Sequence, residues 1–143
     1  MQGKSFSTRL AHVCIETDDL EGSEAFYRVL GLSRRYEFRN QHDELVGFYL
    51  AFPGSPTYIE VIKVREPGKT GIVRHFAIEV DDVEAARQGL IAAGIETGEA
   101  VLENDRTRMI TCHDPNGIFI ELQQYTDESM QTRGGVCRVD YTP

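Results

Sequence analysis

The chain contains its own near-copy. Residues 12–32, HVCIETDDLEGSEAFYRVLGL, align with residues 75–95, HFAIEVDDVEAARQGLIAAGI, at an offset of 63, and seven of the 21 positions are identical. The identities are His12/His75, Ile15/Ile78, Glu16/Glu79, Asp18/Asp81, Asp19/Asp82, Glu21/Glu84 and Gly31/Gly94. Two copies are too few for a solenoid, so the repeat predicts one domain built from two similar modules.

Both copies follow one local pattern. An alternating strand (10–16, 74–80) leads to an acidic pair, and one Asp of each pair can cap a helix and favour the positive end of its dipole. Helical periodicity covers 20–30 and 83–93, and Gly31 and Gly94 stand where a left-handed residue ends each helix. Strand-like runs follow at 34–39, 45–52 and 57–64, then at 96–102, 107–112 and 117–124. Pro53-Gly54 and Asp114-Pro115-Asn116-Gly117 mark the turns before the last strands. Each module therefore reads βαβββ, and the expected fold class is α+β. The expected domain spans 1–126, with modules at about 9–64 and 72–124 and a linker at 65–71. The polar tail 127–143 reads as mobile or as docking on a partner subunit.

Composition closes off several functions. The 143 residues carry 15 Lys+Arg against 23 Asp+Glu, a formal net charge of −8. Nucleic acid and anionic membrane surfaces need clustered cations, and no apolar run approaches the ~18 residues of a membrane span. MQGKSFSTRL has no signal-peptide apolar run. Three widely spaced cysteines, Cys14, Cys112 and Cys137, give neither a disulfide framework nor a CxxC zinc knuckle. The simplest expectation is a reduced, cytoplasmic protein.

Strand parity sorts the side chains, because alternate residues face opposite ways. Val13, Ile15, Ile59, Val61, Phe76, Ile78, Val80, Ile118, Ile120 and Leu122 form the core-facing set. On the opposite parity lie His12, Cys14 and Glu16; Tyr58, Glu60 and Ile62; His75, Ala77 and Glu79; and Phe119, Glu121 and Gln123. Each module thus offers one His on its first strand and one Glu on its last, 48 residues apart in one and 46 in the other. A carboxylate flanked by YI-VI or IFI-L is costly unless it is paired or metal-bound. Two His and two Glu in one place would make an N₂O₂ set suited to Zn²⁺, Ni²⁺, Co²⁺, Fe²⁺ or Mn²⁺. His42, in NQHDE, and His113, before Asp114-Pro115, read as exposed. Cys14 reads as a pocket wall rather than a catalytic thiol, and Tyr58 and Phe119 as walls of the same face. There is no GxGxxG, P-loop lysine or nucleophile-elbow serine.

These segments resemble a known family. DLEGSEAFYRVLGL (19–32) is similar to the first-helix signature of glyoxalase I and its relatives in the vicinal oxygen chelate superfamily. That superfamily includes bleomycin resistance proteins and extradiol dioxygenases. DPNGIFIEL (114–122) resembles its last turn and strand, and GIVRHFAIEVDDVEAA (71–86) the start of its second module. The resemblance covers about 9–124. It implies paired βαβββ modules whose sheets curl around a metal cavity, with helices outside. It also implies that His12, Glu60, His75 and Glu121 are the metal ligands. By this resemblance Glu121, with Glu60 as partner, moves a proton between adjacent carbons through a metal-stabilised enediolate, as in a lactoylglutathione lyase. The alternatives are an epimerase or iron-dependent dioxygenase on a non-glutathione substrate, or a non-catalytic binding or resistance protein. Glutathione-dependent relatives typically carry an Arg where Glu16 stands and an Asn where Val64 stands; Arg106 or Arg108 could contact the glycyl end. The implied partners are a small molecule with vicinal oxygens and, because one module leaves sheet edges open, a second copy of the chain in a homodimer.

Overall fold

The structure is a computed structural model that describes residues 10, 12–68, 71, 73, 75–134 and 137. The chain divides into two compact units, 1–68 and 69–143. In the first unit β1 (His12–Thr17), α1 (Leu20–Val29), β2 (Ser33–Arg39), β3 (Leu45–Ala51) and β4 (Tyr58–Lys63) follow in order. The second repeats them as β5 (His75–Glu79), α2 (Val83–Ala92), β6 (Val101–Leu102), β7 (Arg108–His113) and β8 (Phe119–Gln124), then adds α3 (Met130–Arg133). The sheets have orders β1-β4-β3-β2 and β5-β8-β7-β6, so the repeat in sequence is a repeat in topology.

Each sheet is mixed. The first strand pairs parallel with the last, and the remaining pairs are antiparallel. A parallel pair needs a crossover, which the helix and two intervening strands provide. The fold is α+β, as the βαβββ pattern predicts.

The helix ends explain why the repeat preserves its acids and glycines. The second Asp of each pair is the cap. The Asp19 carboxylate accepts from the Gly22 amide at 2.9 Å, and that of Asp82 from the amides of Glu84 and Ala85 at 2.9 and 3.2 Å. At the other end Gly31 and Gly94 adopt φ +96° and +77°. The Leu32 and Ile95 amides reach back to the carbonyls of Tyr27 and Leu90, and those of Gly31 and Gly94 to Arg28 and Ile91. This is the paired-bond ending in which a glycine takes the left-handed position.

Burial follows strand parity. Ile15, Ile59 and Val61 are buried in the first unit, with Ile78, Ile120 and Leu122 in the second, while His12, Cys14, Glu16, His75, Ala77 and Glu79 are exposed. Val13, Phe76, Val80 and Ile118 are half-buried, near strand ends. His42 and His113 are exposed.

One expectation needs correction. The strand run 96–102 shrinks to Val101–Leu102; residues 96–100 form no strand, and Gly98 meets Thr111 by a single backbone bond of 3.1 Å. The start of the tail bonds to the turn at 105–107 of its own unit. The buried Ser129 hydroxyl donates to the Arg106 carbonyl at 2.9 Å, and the Met130 amide donates to the Asp105 carbonyl at 2.8 Å. Gln131 adds bonds to Asp105 and Thr107, both at 2.8 Å. These groups close over the turn in which Arg106 sits at φ +65°, giving its backbone carbonyls partners they would otherwise lack. Residues 135, 136 and 138–143 lie outside the described residues.

Gly47, in β3, tests the packing of the first sheet. A Cβ there would stand 2.6 Å from the Val61 carbonyl oxygen, which belongs to a central strand and cannot move aside. Gly47→Ala is expected to destabilise the protein by about 1–3 kcal/mol. Thermal denaturation would register this as a clear drop in melting temperature.

Candidate metal centre

The parallel pairing of first and last strands brings each His to its Glu. In the first unit His12 pairs with Tyr58 and Cys14 with Glu60, so His12 and Glu60 lie diagonally on one face. Nε2 of His12 and Oε2 of Glu60 are 3.1 Å apart. In the second unit His75 pairs with Phe119 and Ala77 with Glu121, and the corresponding atoms are 3.5 Å apart. The Glu side chains are the more enclosed, 20% and 16% exposed against 39% and 42% for the His side chains.

These separations suit a shared cation. Two ligands each about 2.0–2.2 Å from one ion, at angles between square and tetrahedral, lie about 2.8–3.6 Å apart. The donors are an imidazole nitrogen and a carboxylate oxygen in each unit, appropriate for a borderline divalent metal. Each unit carries one such pair of its own. Among the described residues no group of three or more His, Cys, Asp or Glu side chains is arranged to hold a metal ion.

Local sequence fixes where the glutamates point. Before β8 the buried Asp114 accepts from the amides of Asn116 and Ile118, both at 2.8 Å, while Gly117 takes φ +84°. The DPNG turn therefore sets the phase of β8, sending Ile120 and Leu122 to the core and Glu121 to the opposite face. In the first unit Pro53-Gly54, with Gly54 at φ +73° and the Ser55 amide bonded to the Phe52 carbonyl, reverses the chain ahead of β4.

Two side chains assigned no role from sequence hold the glutamates. Tyr49, in β3, is the register partner of Glu60. Its hydroxyl donates to Glu60 Oε2 at 3.3 Å and lies 3.5 Å from Nδ1 of His12. Desolvation, then a bond with Tyr36 and the charge of Glu60, push its phenol up to about 12, so it stays a proton donor at neutral pH. In the second unit the Gln123 amide donates to Glu121 Oε2 at 2.9 Å, with the Tyr125 hydroxyl on Gln123 Oε1 at 3.1 Å. Parity would have placed Tyr49 on the ligand face once the β3–β4 register was known; Gln123 carried that signal already, two residues after Glu121.

The remaining face residues have distinct surroundings. The Glu16 carboxylate accepts from the Gly68 amide at 2.7 Å, tying the end of the first unit back to β1. Tyr58 joins a ring cluster with Tyr49 at 5.6 Å; Tyr36 stacks on Tyr49 at 4.5 Å and 17°, and Phe38 meets Tyr49 edge-on. Phe119 packs edge-on against both His75 and His113. Two clefts of the first unit, one lined by Asp18, Glu24 and Lys63 and the other by Arg35, Phe52 and Pro56, touch neither His12 nor Glu60. No disulfide links the three cysteines.

Comparison with known proteins places the chain. A sequence model of the Glyoxalase/Bleomycin resistance protein/Dioxygenase superfamily matches residues 9–122, and the chain belongs to that superfamily. Its fold is similar to that of a glyoxalase family protein from Enterococcus faecalis, at 22% identity and a TM-score of 0.70, over 83% of this chain and 99% of that one. It is also similar to TnmS3, an antibiotic binding protein from Streptomyces sp. CB03234, at 20% identity and a TM-score of 0.70, over 85% and 99%. An integron cassette protein from the Halifax Harbour sewage outfall metagenome matches at 20% and 0.70, over 83% and 100%. No curated protein matches. No described helix is long and apolar enough to cross a membrane.

The cysteines report on the site's charge. Burial raises the Cys14 thiol above its ordinary value, with Glu60 and then Glu16 adding to the shift. Burial, aided by Asp114, lifts Cys112 to about 11. The thiolate is the reactive form. At pH 8 iodoacetamide is expected to leave Cys112 unlabelled in the folded protein. Glu60→Gln removes a charge that opposes Cys14 ionisation, so Cys14 labelling should accelerate a few-fold, measured by peptide mass spectrometry.

Proposed function

We propose that the protein is a metal-dependent lyase or isomerase of the glyoxalase type, acting on a small molecule with vicinal oxygens. In this reading His12, Glu60, His75 and Glu121 together hold one divalent cation (Ni²⁺, Zn²⁺, Co²⁺, Mn²⁺ or Fe²⁺). The observation that carries it is the His–Glu pair at ligand spacing, repeated at equivalent positions of both units. The two pairs belong to one site, formed within a chain or across a homodimer, in a cytoplasmic protein.

When bound, the cation supplies Lewis acidity towards the two substrate oxygens. Glu121 takes the proton from the carbon beside the carbonyl and returns it to the neighbouring carbon, so the reaction is an isomerisation without net redox change. The contacts of Glu121 to His75 and to Gln123 use Oε2. Glu60 serves the opposite face of the substrate. Cys14, Tyr58 and Phe119 wall the pocket, and Glu16 faces it from the end of β1.

The charge pattern bears on the substrate. Glu16 stands where an anionic thiol conjugate such as a glutathione adduct would need a cation, and its carboxylate is already committed to the Gly68 amide. Like charges repel by the same Coulomb law that would make an Arg attractive. This favours a substrate other than a glutathione conjugate.

A second reading has its own support. Tyr49 adjoins the first His–Glu pair, and the rings of Tyr36, Phe38 and Tyr58 pack around it, a surface suited to binding a planar molecule without chemistry.

Proton exchange separates the two. Metal-stripped protein would be reloaded with Ni²⁺ or Zn²⁺ and incubated in D₂O with α-hydroxyketones and with the hemithioacetal of methylglyoxal and glutathione. Proton NMR should show exchange at the carbon beside the carbonyl, faster with the glutathione-free substrates, and roughly 10²–10⁴-fold slower in Glu121→Gln. Wild-type protein that binds metal and these ligands yet exchanges no faster than Glu121→Gln contradicts the enzymatic reading and leaves the binding one.

A further inference from the structure

The two units carry the same His–Glu pair but hold it differently. Opposite Glu60 in the register stands Tyr49; opposite Glu121 stands Thr111. The Tyr49 hydroxyl lies within reach of both members of its pair, 3.3 Å from Glu60 Oε2 and 3.5 Å from His12 Nδ1. A phenol has one proton to give and lone pairs to receive another. Both contacts are satisfied together in one way: the phenol donates to Glu60, and His12 donates its Nδ1 proton to the phenol. That tautomer leaves the lone pair on Nε2, the nitrogen 3.1 Å from Glu60 Oε2. The ring itself is held on three sides, by Tyr36 stacked at 4.5 Å and by Phe38 and Tyr58 at 5.7 and 5.6 Å. Among the described residues the second unit has no counterpart. His75 meets Glu121 and the edge of Phe119, and Glu121 accepts from Gln123, which Tyr125 holds in turn.

We propose that Tyr49 is a positioning residue, whose hydroxyl sets the tautomer of His12 and the orientation of Glu60 together. The His12–Glu60 pair is thereby oriented through one hydroxyl that meets both members, whereas Glu121 takes its bond from Gln123. The inference rests on the metal reading above and adds to it an asymmetry that the sequence repeat conceals. Groups that orient ligands from behind typically change metal affinity by about 10–100-fold when removed.

Tyr49→Phe keeps the ring and its stacking and removes only the hydroxyl. Co²⁺ titrated into metal-free protein, with binding followed by visible absorption, gives affinity and ligand-field signature together. Tyr49→Phe should bind Co²⁺ about 10–100-fold more weakly, with a shifted spectrum and an unaltered circular dichroism spectrum in the metal-free state. Thr111→Val, at the matching position of the other unit, should match wild type in both. Wild-type affinity and spectrum in Tyr49→Phe, or an equal loss in Thr111→Val, would overturn the positioning role while leaving the metal site intact. Failure of the wild type to bind Co²⁺ would instead overturn the metal reading beneath it.

Discussion

The parallel pairing of the first and last strand in each unit is the constraint on which everything else depends. A parallel neighbour cannot be reached by a tight turn, so a helix and two strands must intervene. The βαβββ order is that requirement written out. The same pairing aligns β1 with β4 and β5 with β8, so that one residue type from each strand meets across the ladder. His12 reaches Glu60 and His75 reaches Glu121 because the glutamate stands two residues beyond the partner of the histidine in both sheets. A one-residue slip would carry Glu60 or Glu121 into the core and Val61 or Leu122 out of it. Burial of the apolar parity therefore also fixes the position of the candidate ligands.

Features that depend on local physics were legible in the sequence. Asp19, Asp82, Gly31 and Gly94 do at the helix ends what their chemistry favours, and strand parity separated Ile15 and Ile120 from His12 and Glu121. Features that depend on which strands meet were not. Tyr49 sits in GFYLAF, a run apolar enough to read as core on both faces. Its relation to Glu60 exists only through the β3–β4 register, and β2 on its other side pairs with irregularities near Arg34–Tyr36 and Phe38–Arg39. The short β6 has a plainer reason: residues 96–100, Glu-Thr-Gly-Glu-Ala, are mostly poor strand formers, and Gly98 meets β7 by a single backbone bond. The start of the tail, polar and weakly periodic, is ordered by backbone groups of the turn at Asp105–Arg106, which composition does not reveal.

Electrostatics links the structure to the proposed chemistry. Glu60 and Glu121 are charges that a cation would neutralise, and each already has one neutral donor, from Tyr49 or Gln123, that orients it without cancelling its charge. Glu16 has a different fate. It belongs to the repeat, matching Glu79, yet its carboxylate is spent on the Gly68 amide at the close of the first unit. A residue in that role is a poor anchor for an anionic substrate, whatever the metal does. Fold likeness to a glyoxalase family protein and to an antibiotic binding protein alike is consistent with a scaffold whose function lies in the grafted site rather than in the fold.

The central claim is that the two His–Glu pairs serve one ion. X-ray absorption at the edge of a Zn²⁺- or Ni²⁺-loaded sample counts imidazole ligands through their outer-shell scattering. The account predicts one ion per chain with a nitrogen–oxygen first shell and two imidazoles, falling to one in either His12→Ala or His75→Ala. A single imidazole in the wild type, or a signal that ignores one of the two substitutions, would contradict it.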